Sequence, residues 1–220
     1  MGSENVTWHP CRLARAERWD ILRCRGGVVW ITGLPASGKS SLATTLEERL
    51  VRLRVPAYLL DGDNLRHGIN SDLSFDAASR SENVRRAAEV ARLLADSGAI
   101  AVVSLISPYA ADRAGARAIV ERDGLAFVEV FVDTPLDECE RRDPKGLYAR
   151  ARRGDLPCFT GVDDPYEPPR APDVRVATLR TTIDEAAAGI QLQLLERGLL
   201  RQAFRAGSPP APGVDLREPG

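Results

Sequence analysis

Gly33-Leu34-Pro35-Ala36-Ser37-Gly38-Lys39-Ser40 reads G-x-x-x-x-G-K-S, and the rest of the chain can be placed relative to it. In front lies Val28-Val29-Trp30-Ile31-Thr32, a short apolar run with the character of a buried strand. Behind it, Ser41 to Leu50 carries apolar residues at 42, 46 and 50, the spacing of a helix. Strand, glycine loop and helix together are the context in which this spacing binds phosphate. The glycines let successive backbone N–H groups curl around an anion, and the helix N-terminus adds the positive end of its dipole. Lys39 is expected to reach the β- and γ-phosphates of ATP, and Ser40 to hold Mg2+. Gly33, Leu34, Pro35, Ala36, Ser37, Gly38, Lys39, Ser40 and the following Ser41 are the candidate ATP-binding segment.

The 220 residues suit one α/β domain with tails. A net charge of −1 gives no global field that would favour nucleic acid or a membrane. No apolar run approaches the roughly 20 residues that span a bilayer, and the N-terminus lacks the apolar stretch of a signal peptide. Cys11, Cys24, Cys139 and Cys158 have no C-x-x-C spacing, so free thiols in a cytoplasmic protein are expected. Of the 30 basic residues, only Lys39 and Lys145 are lysine. A compact ammonium on a flexible stem is what a phosphate loop needs, where a planar guanidinium would not fit. The same rarity marks Lys145 for a specific role.

Outward from the loop, residues 1–26 form a polar arm with a helix around 13–22, and Trp8 and Trp19 suit packing on the domain or a partner. Strand 57–60 ends in Asp61-Gly62-Asp63, at the carboxyl edge where parallel sheets bind ligands. Two carboxylates there can face Mg2+ or a substrate hydroxyl. Residues 64–78 read as a polar loop, with His67 as a structural hydrogen-bonder. Ser79 with Glu82 fits a capping box opening a helix that runs to Ser97 and stops at Gly98. Arg80 and Asn83 share one face of it, while Arg86 reads as solvated charge. Strands at 99–105, 127–132 and 173–177 follow, with helices at 111–122, 135–141 and 181–197. The basic segment around Lys145, punctuated by Gly and Pro, suits a lid over about 141–160 that closes on phosphates. The domain is therefore expected at 27–200, and the Gly/Pro-rich composition of 201–220 predicts a disordered tail.

The alternation of strands and helices predicts a three-layer α/β/α domain on a five-stranded parallel sheet. A GTPase would carry N-K-x-D, which does not occur, and a motor or transporter ATPase needs more chain. A small-molecule kinase remains, with an acceptor that the phosphate loop cannot specify.

Further motifs narrow the acceptor. They are Asp61-Gly62-Asp63-Asn64-Leu65-Arg66-His67-Gly68, Glu82-Asn83-Val84-Arg85-Arg86, Ile106-Ser107-Pro108-Tyr109, Val132-Asp133-Thr134-Pro135, Asp143-Pro144-Lys145-Gly146-Leu147-Tyr148 and Phe159-Thr160-Gly161-Val162-Asp163-Asp164-Pro165-Tyr166-Glu167. With Val6-Thr7-Trp8-His9 in the arm, they resemble the adenylylsulfate kinase (APS kinase) family in order and spacing, over roughly residues 5–178. The resemblance implies a P-loop kinase fold with strand order 2-3-1-4-5, Mg2+, ATP as co-substrate, and usually a homodimer. It implies transfer of the γ-phosphoryl group to the 3′-hydroxyl of adenosine 5′-phosphosulfate (APS), giving PAPS in sulfate activation.

By the same resemblance, Asp63 orients or deprotonates the 3′-hydroxyl and joins Ser40 at the metal, with Asp61 in support. Phe75 and Phe159 match positions that sandwich the adenine of APS. Arg66 and Arg80 match those that bind its phosphosulfate. Asn83, Ile106, Ser107, Lys145 and Leu147 match further acceptor positions. The serine of I-S-P-Y has been assigned as a phosphoserine intermediate in the family. Nothing adjacent in sequence would activate Ser107, and in-line transfer needs no covalent step, so a contact to the acceptor is the quieter alternative.

The sequence also departs from the family pattern. Pro35 and Ala36 stand where serine and glycine are usual, at variable loop positions that leave Lys39 and Ser40 undisturbed. Leu73-Ser74-Phe75-Asp76 replaces L-G-F-S, Ser79 replaces an aspartate, and Leu105 a phenylalanine. If the usual glycine takes a positive φ, Ser74 strains the loop that presents Phe75. Two rivals therefore stand beside APS kinase: a kinase for another small molecule, and a weakly active nucleotide-binding subunit serving an ATP sulfurylase partner.

Overall fold

The structure, a computed structural model, describes residues 11–200 together with Thr7 and His9. The expectations for Trp8 and for the tail at 201–220 lie outside the described residues.

The elements follow in the order α1 (Arg15–Leu22), β1 (Gly27–Thr32), α2 (Lys39–Arg52), β2 (Ala57–Asp61), α3 (Gly62–Arg66), α4 (Ala77–Ser97), β3 (Ile100–Ser104), α5 (Ala110–Glu121), β4 (Ala126–Asp133), α6 (Leu136–Arg142), α7 (Leu147–Arg152), β5 (Val174–Ala177) and α8 (Ile183–Glu196). The five strands form one parallel sheet, ordered β2-β3-β1-β4-β5. β1 is central because its Val28, Val29, Trp30 and Ile31 are apolar on both faces and fully buried. On one face α2 and α8 pack through Leu42, Leu46, Ile190 and Leu194 onto Val29 and Ile31. On the other, Ala87, Ala88, Ala91 and Ala95 of α4 bring that helix close to the sheet, against Val28, Val103 and the stacked pair Trp30–Phe127. The α/β/α layering follows from these two apolar faces.

Several local expectations are corrected. Residues 64–78 are not all loop. Asp61 accepts from the N–H of Asp63 and starts the short α3. The cap of α4 is Asp76, not Ser79: its carboxylate accepts from the N–H of Ser79 at 2.9 Å and the hydroxyl of Ser79 at 2.8 Å. A charged acceptor three residues earlier wins over the Ser79 hydroxyl. Glu82 is thereby freed to hold Arg85 and Arg86. Arg86 is no plain solvated charge, since it forks onto Asp72 and donates to Ile69 O, tying that loop to α4. His67 is exposed at the end of α3, and its side chain holds nothing among the described residues.

Candidate active site

β1 delivers the chain into the phosphate loop and α2 takes it out, with Gly38 as the N-cap at φ 101°, a conformation that excludes most side chains. The loop is braced from outside. Thr134 Oγ1 donates to Ser37 O at 2.9 Å, and Tyr148 of α7 donates to Pro35 O at 3.1 Å. Tyr148, Cys139 and Phe159 form a small core with Leu34, Ala36, Leu136 and Leu147. The basic segment around α7 is therefore anchored on the loop and is not a free surface helix.

Lys39 is 8 % exposed and donates to Leu34 O at 2.6 Å. Burial pushes its ammonium down to about 8, opposed by the charges of Cys139, Asp61 and Asp63. The loop departures behave differently from expectation. Ser74 is not among the residues with positive φ, whereas Ala36 has φ 58°. The strain lies in the phosphate loop and not beside Phe75. Ser74, Asp76 and Ser79, all departures from the family pattern, form one cluster: Ser74 Oγ bonds Asp76 and lies 3.1 Å from Ser79 Oγ.

At the carboxyl edge of the sheet, Ser40 Oγ donates to Asp61 Oδ2 at 2.9 Å. Asp63, one residue into α3, is ion-paired with Lys145 from the turn before α7. That contact holds the lysine's proton more tightly and raises its pKa. Asp143 accepts from the N–H groups of Leu147 and Ala149, at 2.8 and 3.1 Å, and so opens α7 directly after the lysine. A hydroxyl and carboxylates are the hard oxygen donors that suit Mg2+. No group of three or more His, Cys, Asp or Glu able to hold a metal occurs among the described residues.

The residues expected to bind the acceptor divide by accessibility. Arg66 lies over the Phe75 ring, 4.1 Å from its centroid, and donates to Leu73 O and Ser74 O. Its pKa is lowered, by burial first and then by the charge of Arg80. Phe75 is 60 % exposed, a flat face open to a ligand. Phe159 is buried, edge-on to Tyr148 at 5.0 Å. Arg80 joins the two segments. Its guanidinium donates to Phe75 O at 2.8 Å, to Thr160 Oγ1 at 2.7 Å and to Cys158 O. Asn83 is buried and accepts from Asn70 Nδ2 at 2.9 Å, and Ile106 O accepts from Thr32 Oγ1 at 2.7 Å.

Ser107 is 3 % exposed at φ 39°. Its hydroxyl accepts from Trp30 Nε1 at 3.1 Å and donates to Thr32 Oγ1 at 3.0 Å. No base adjoins it. Arg113, which sequence reasoning passed over, donates to Ser107 O, Pro108 O and Glu167 O and pairs with Glu129. The available signal was an arginine in register with Ala116 and Val120 on the buried stripe of α5. Asn70, Thr134 and Thr160 were also passed over, because buried polar residues carry no periodic mark, as was the partly buried Tyr166.

A braced phosphate loop on a parallel sheet of order 2-3-1-4-5, with Asp61 on Ser40 and Lys145 on Asp63 at the carboxyl edge, defines a P-loop phosphotransferase. The family model described as adenylylsulphate kinase matches residues 25–177. The chain is 48 % identical over 198 residues to an adenylyl-sulfate kinase of Saccharomyces pastorianus, covering 90 % of this chain and 98 % of that one. It is 49 % identical over 197 residues to the bifunctional enzyme NodQ of Rhizobium sp., covering 90 % of this chain and 30 % of that one. The solved structure of Mycobacterium tuberculosis APS kinase CysC in complex with AMPPNP and APS superposes with TM-score 0.76 at 53 % identity, covering 79 % of this chain and 99 % of that one. The chain belongs to the adenylylsulphate kinase family.

Proposed function

We propose that this protein transfers the γ-phosphoryl group of ATP to the 3′-hydroxyl of APS, yielding PAPS and ADP. The observation that carries this reading is the contact between Asp63 and Lys145, which sets a carboxylate and a lid cation together beside the phosphate loop. The loop N–H groups and Lys39 hold the β- and γ-phosphates. Ser40, with Asp61 and Asp63 nearby, suits Mg2+, which when bound neutralises phosphate charge. Asp63 accepts the proton of the 3′-hydroxyl as its oxygen attacks the γ-phosphorus in line and the bond to the β,γ-bridging oxygen breaks. Lys145 balances negative charge on the acceptor side.

For APS itself, the exposed Phe75 offers a face to the adenine, with Phe159 and Leu147 as the opposing wall. Arg66 supplies charge for the phosphosulfate. Arg80 has two guanidinium N–H groups beyond its three backbone and threonine bonds. Asn83, Ile106 and Ser107 border the same pocket.

Residues 27–200 act as the kinase domain, with about 141–160 as the lid. A homodimer is the working unit, in keeping with the exposed Ile21 and Leu22 on α1. An ATP sulfurylase partner is in keeping with the wider chain of the bifunctional relative. The free cysteines suit a reducing cytoplasm, and among the described residues no helix is long and apolar enough to cross a membrane. Purified protein incubated with ATP, Mg2+ and APS should form PAPS. Turnover of a different nucleoside without PAPS would mark a kinase with a drifted acceptor pocket. Nucleotide binding without turnover would mark a non-catalytic subunit.

A further inference from the structure

Five helices end in the same backbone motif, α7 among them through Gly154 (φ 81°) to Ala151 O and Asp155 to Arg150 O. The N–H groups of two successive residues past the helix reach back to its last turn: Gly98 to Ala95 O and Ala99 to Leu94 O after α4, Gly198 to Leu195 O and Leu199 to Leu194 O after α8. Arg23 to Asp20 O and Cys24 to Trp19 O repeat this after α1, and Arg54 to Val51 O and Val55 to Leu50 O after α2. The pivot residue must be left-handed, which glycine adopts without the Cβ clash. α4 and α8 use Gly98 (φ 108°) and Gly198 (φ 70°). α1 and α2 use Arg23 (φ 53°) and Arg54 (φ 59°), against that preference.

Both of these arginines line one cavity of about 430 Å³, together with Arg25, Trp19, Pro56 and Leu199. It lies at the C-terminal end of α2, which is about 20 Å long, so the phosphate loop is at the far end of that helix. All three arginines are exposed, and among the described residues none has a side-chain hydrogen bond or an ion pair. Neighbouring arginines are occupied: Arg15 and Arg18 by Asp96, Arg92 by Glu89 and Asp123. The one carboxylate on the wall is Asp20. For Arg54 the helix dipole does not account for the placement. Cations answer a dipole from the last turn, where α2 already has Arg49 and Arg52, and the terminal carbonyls are taken by the backbone motif.

We propose that this cavity is a second anion site, distinct from the transfer site, and that its ligand is a nucleotide carrying at least two anionic groups. The three guanidinium charges exceed the charge of about −2 that a single phosphate brings, and each guanidinium matches phosphate geometry in bidentate fashion. Trp19, Pro56 and Leu199 give the apolar wall on which a base can rest, and the volume lies in the range of small-molecule sites. The proposal goes beyond the transfer reaction; only the expected count of two bisphosphates rests on that reading, because one of them enters the transfer site.

The test is equilibrium dialysis of the full chain with labelled adenosine 3′,5′-bisphosphate, alongside inorganic phosphate. Wild type should bind two bisphosphates per chain. The double variant Arg23→Gly/Arg54→Gly should keep its turnover and melt higher, because glycine suits both pivots, yet bind the second nucleotide at least about ten-fold more weakly. Arg25→Ala should weaken the same site alone. A single bisphosphate per wild-type chain, held undiminished in the Arg23→Gly/Arg54→Gly variant, overturns the proposal. So does a second site indifferent to all three arginines, or inorganic phosphate binding there as tightly as the nucleotide. A glycine variant that melts lower would make the arginines structural, and would overturn it as well.

Discussion

The ammonium of Lys145 meets the carboxylate of Asp63, joining the turn before α7 to the first turn of α3 across 82 residues of chain. Both side chains are largely exposed, at 64 % and 70 %. Such a pair contributes little to stability in water. Under the proposed mechanism its significance is positional, since it sets the proton acceptor Asp63 beside the cation Lys145.

Asp63→Asn is expected to lower kcat by at least about 10²-fold, within the usual range for a lost general base. ATP affinity should survive, because the phosphate loop is untouched. Near-normal turnover by this variant would remove Asp63 from the mechanism.

Lys145→Ala should weaken turnover with APS by about 10- to 100-fold, the loss of one charge-assisted contact, and leave ATP affinity without APS nearly unchanged. Lys145→Arg should restore only part of it, since a planar fork does not replace a point charge. Full activity in Lys145→Arg would make the lysine incidental.

A buried hydroxyl already bonded to Trp30 and Thr32 is a poor nucleophile. Ser107→Ala should therefore keep kcat within about ten-fold of wild type, where loss of a covalent intermediate would cost orders of magnitude more. It should also cost about 1–3 kcal/mol of stability, because Trp30 Nε1 is left without an acceptor. Collapse of kcat at unchanged stability would restore the covalent route.

The difference between Ser74 and Ala36 shows where sequence reasoning stops. Both stand where the family pattern has glycine, and a pattern cannot tell which glycine is needed for its φ. The backbone can: Ala36 is left-handed and Ser74 is not. The exchange of hydroxyl and carboxylate between positions 76 and 79 likewise reads as two separate departures, yet in space Asp76 and Ser79 form one cap with Ser74. The β1–loop–α2 unit was legible because strand, glycine turn and helix are local patterns. Arg113 and Asn70 were not, since their roles arise from partners that folding brings together.

That strain gives a stability test. Ala36→Gly removes the left-handed Cβ penalty but also the methyl packed against the Cys139, Tyr148 and Phe159 cluster. The first term is larger, so a net gain of about 0.5–1 kcal/mol is expected, or roughly 1–4 °C in Tm for a chain of this size. ATP affinity should be equal or tighter. A lower Tm would mean that the methyl contact outweighs the backbone.

Lys39 carries a prediction in pH. Burial lowers its pKa from 10.5 to about 8 in the folded protein. The unfolded chain therefore holds this proton more tightly than the folded one. The resulting cost to folding is full below about pH 8 and is relieved as pH rises towards 10.5, so this residue makes stability increase across that window. Nucleotide binding acts in the opposite sense, because β- and γ-phosphates beside the amine favour its charged form. Binding ATP at about pH 8 should take up on the order of half a proton, falling towards none near pH 6.5. The terminal phosphate of ATP, titrating around 6, adds little at the upper pH. Calorimetry in two buffers of different ionisation enthalpy reads this uptake directly, and Lys39→Met should abolish it. Proton uptake that persists in Lys39→Met, or none in wild type at pH 8, would show that the lysine is fully charged before ATP arrives.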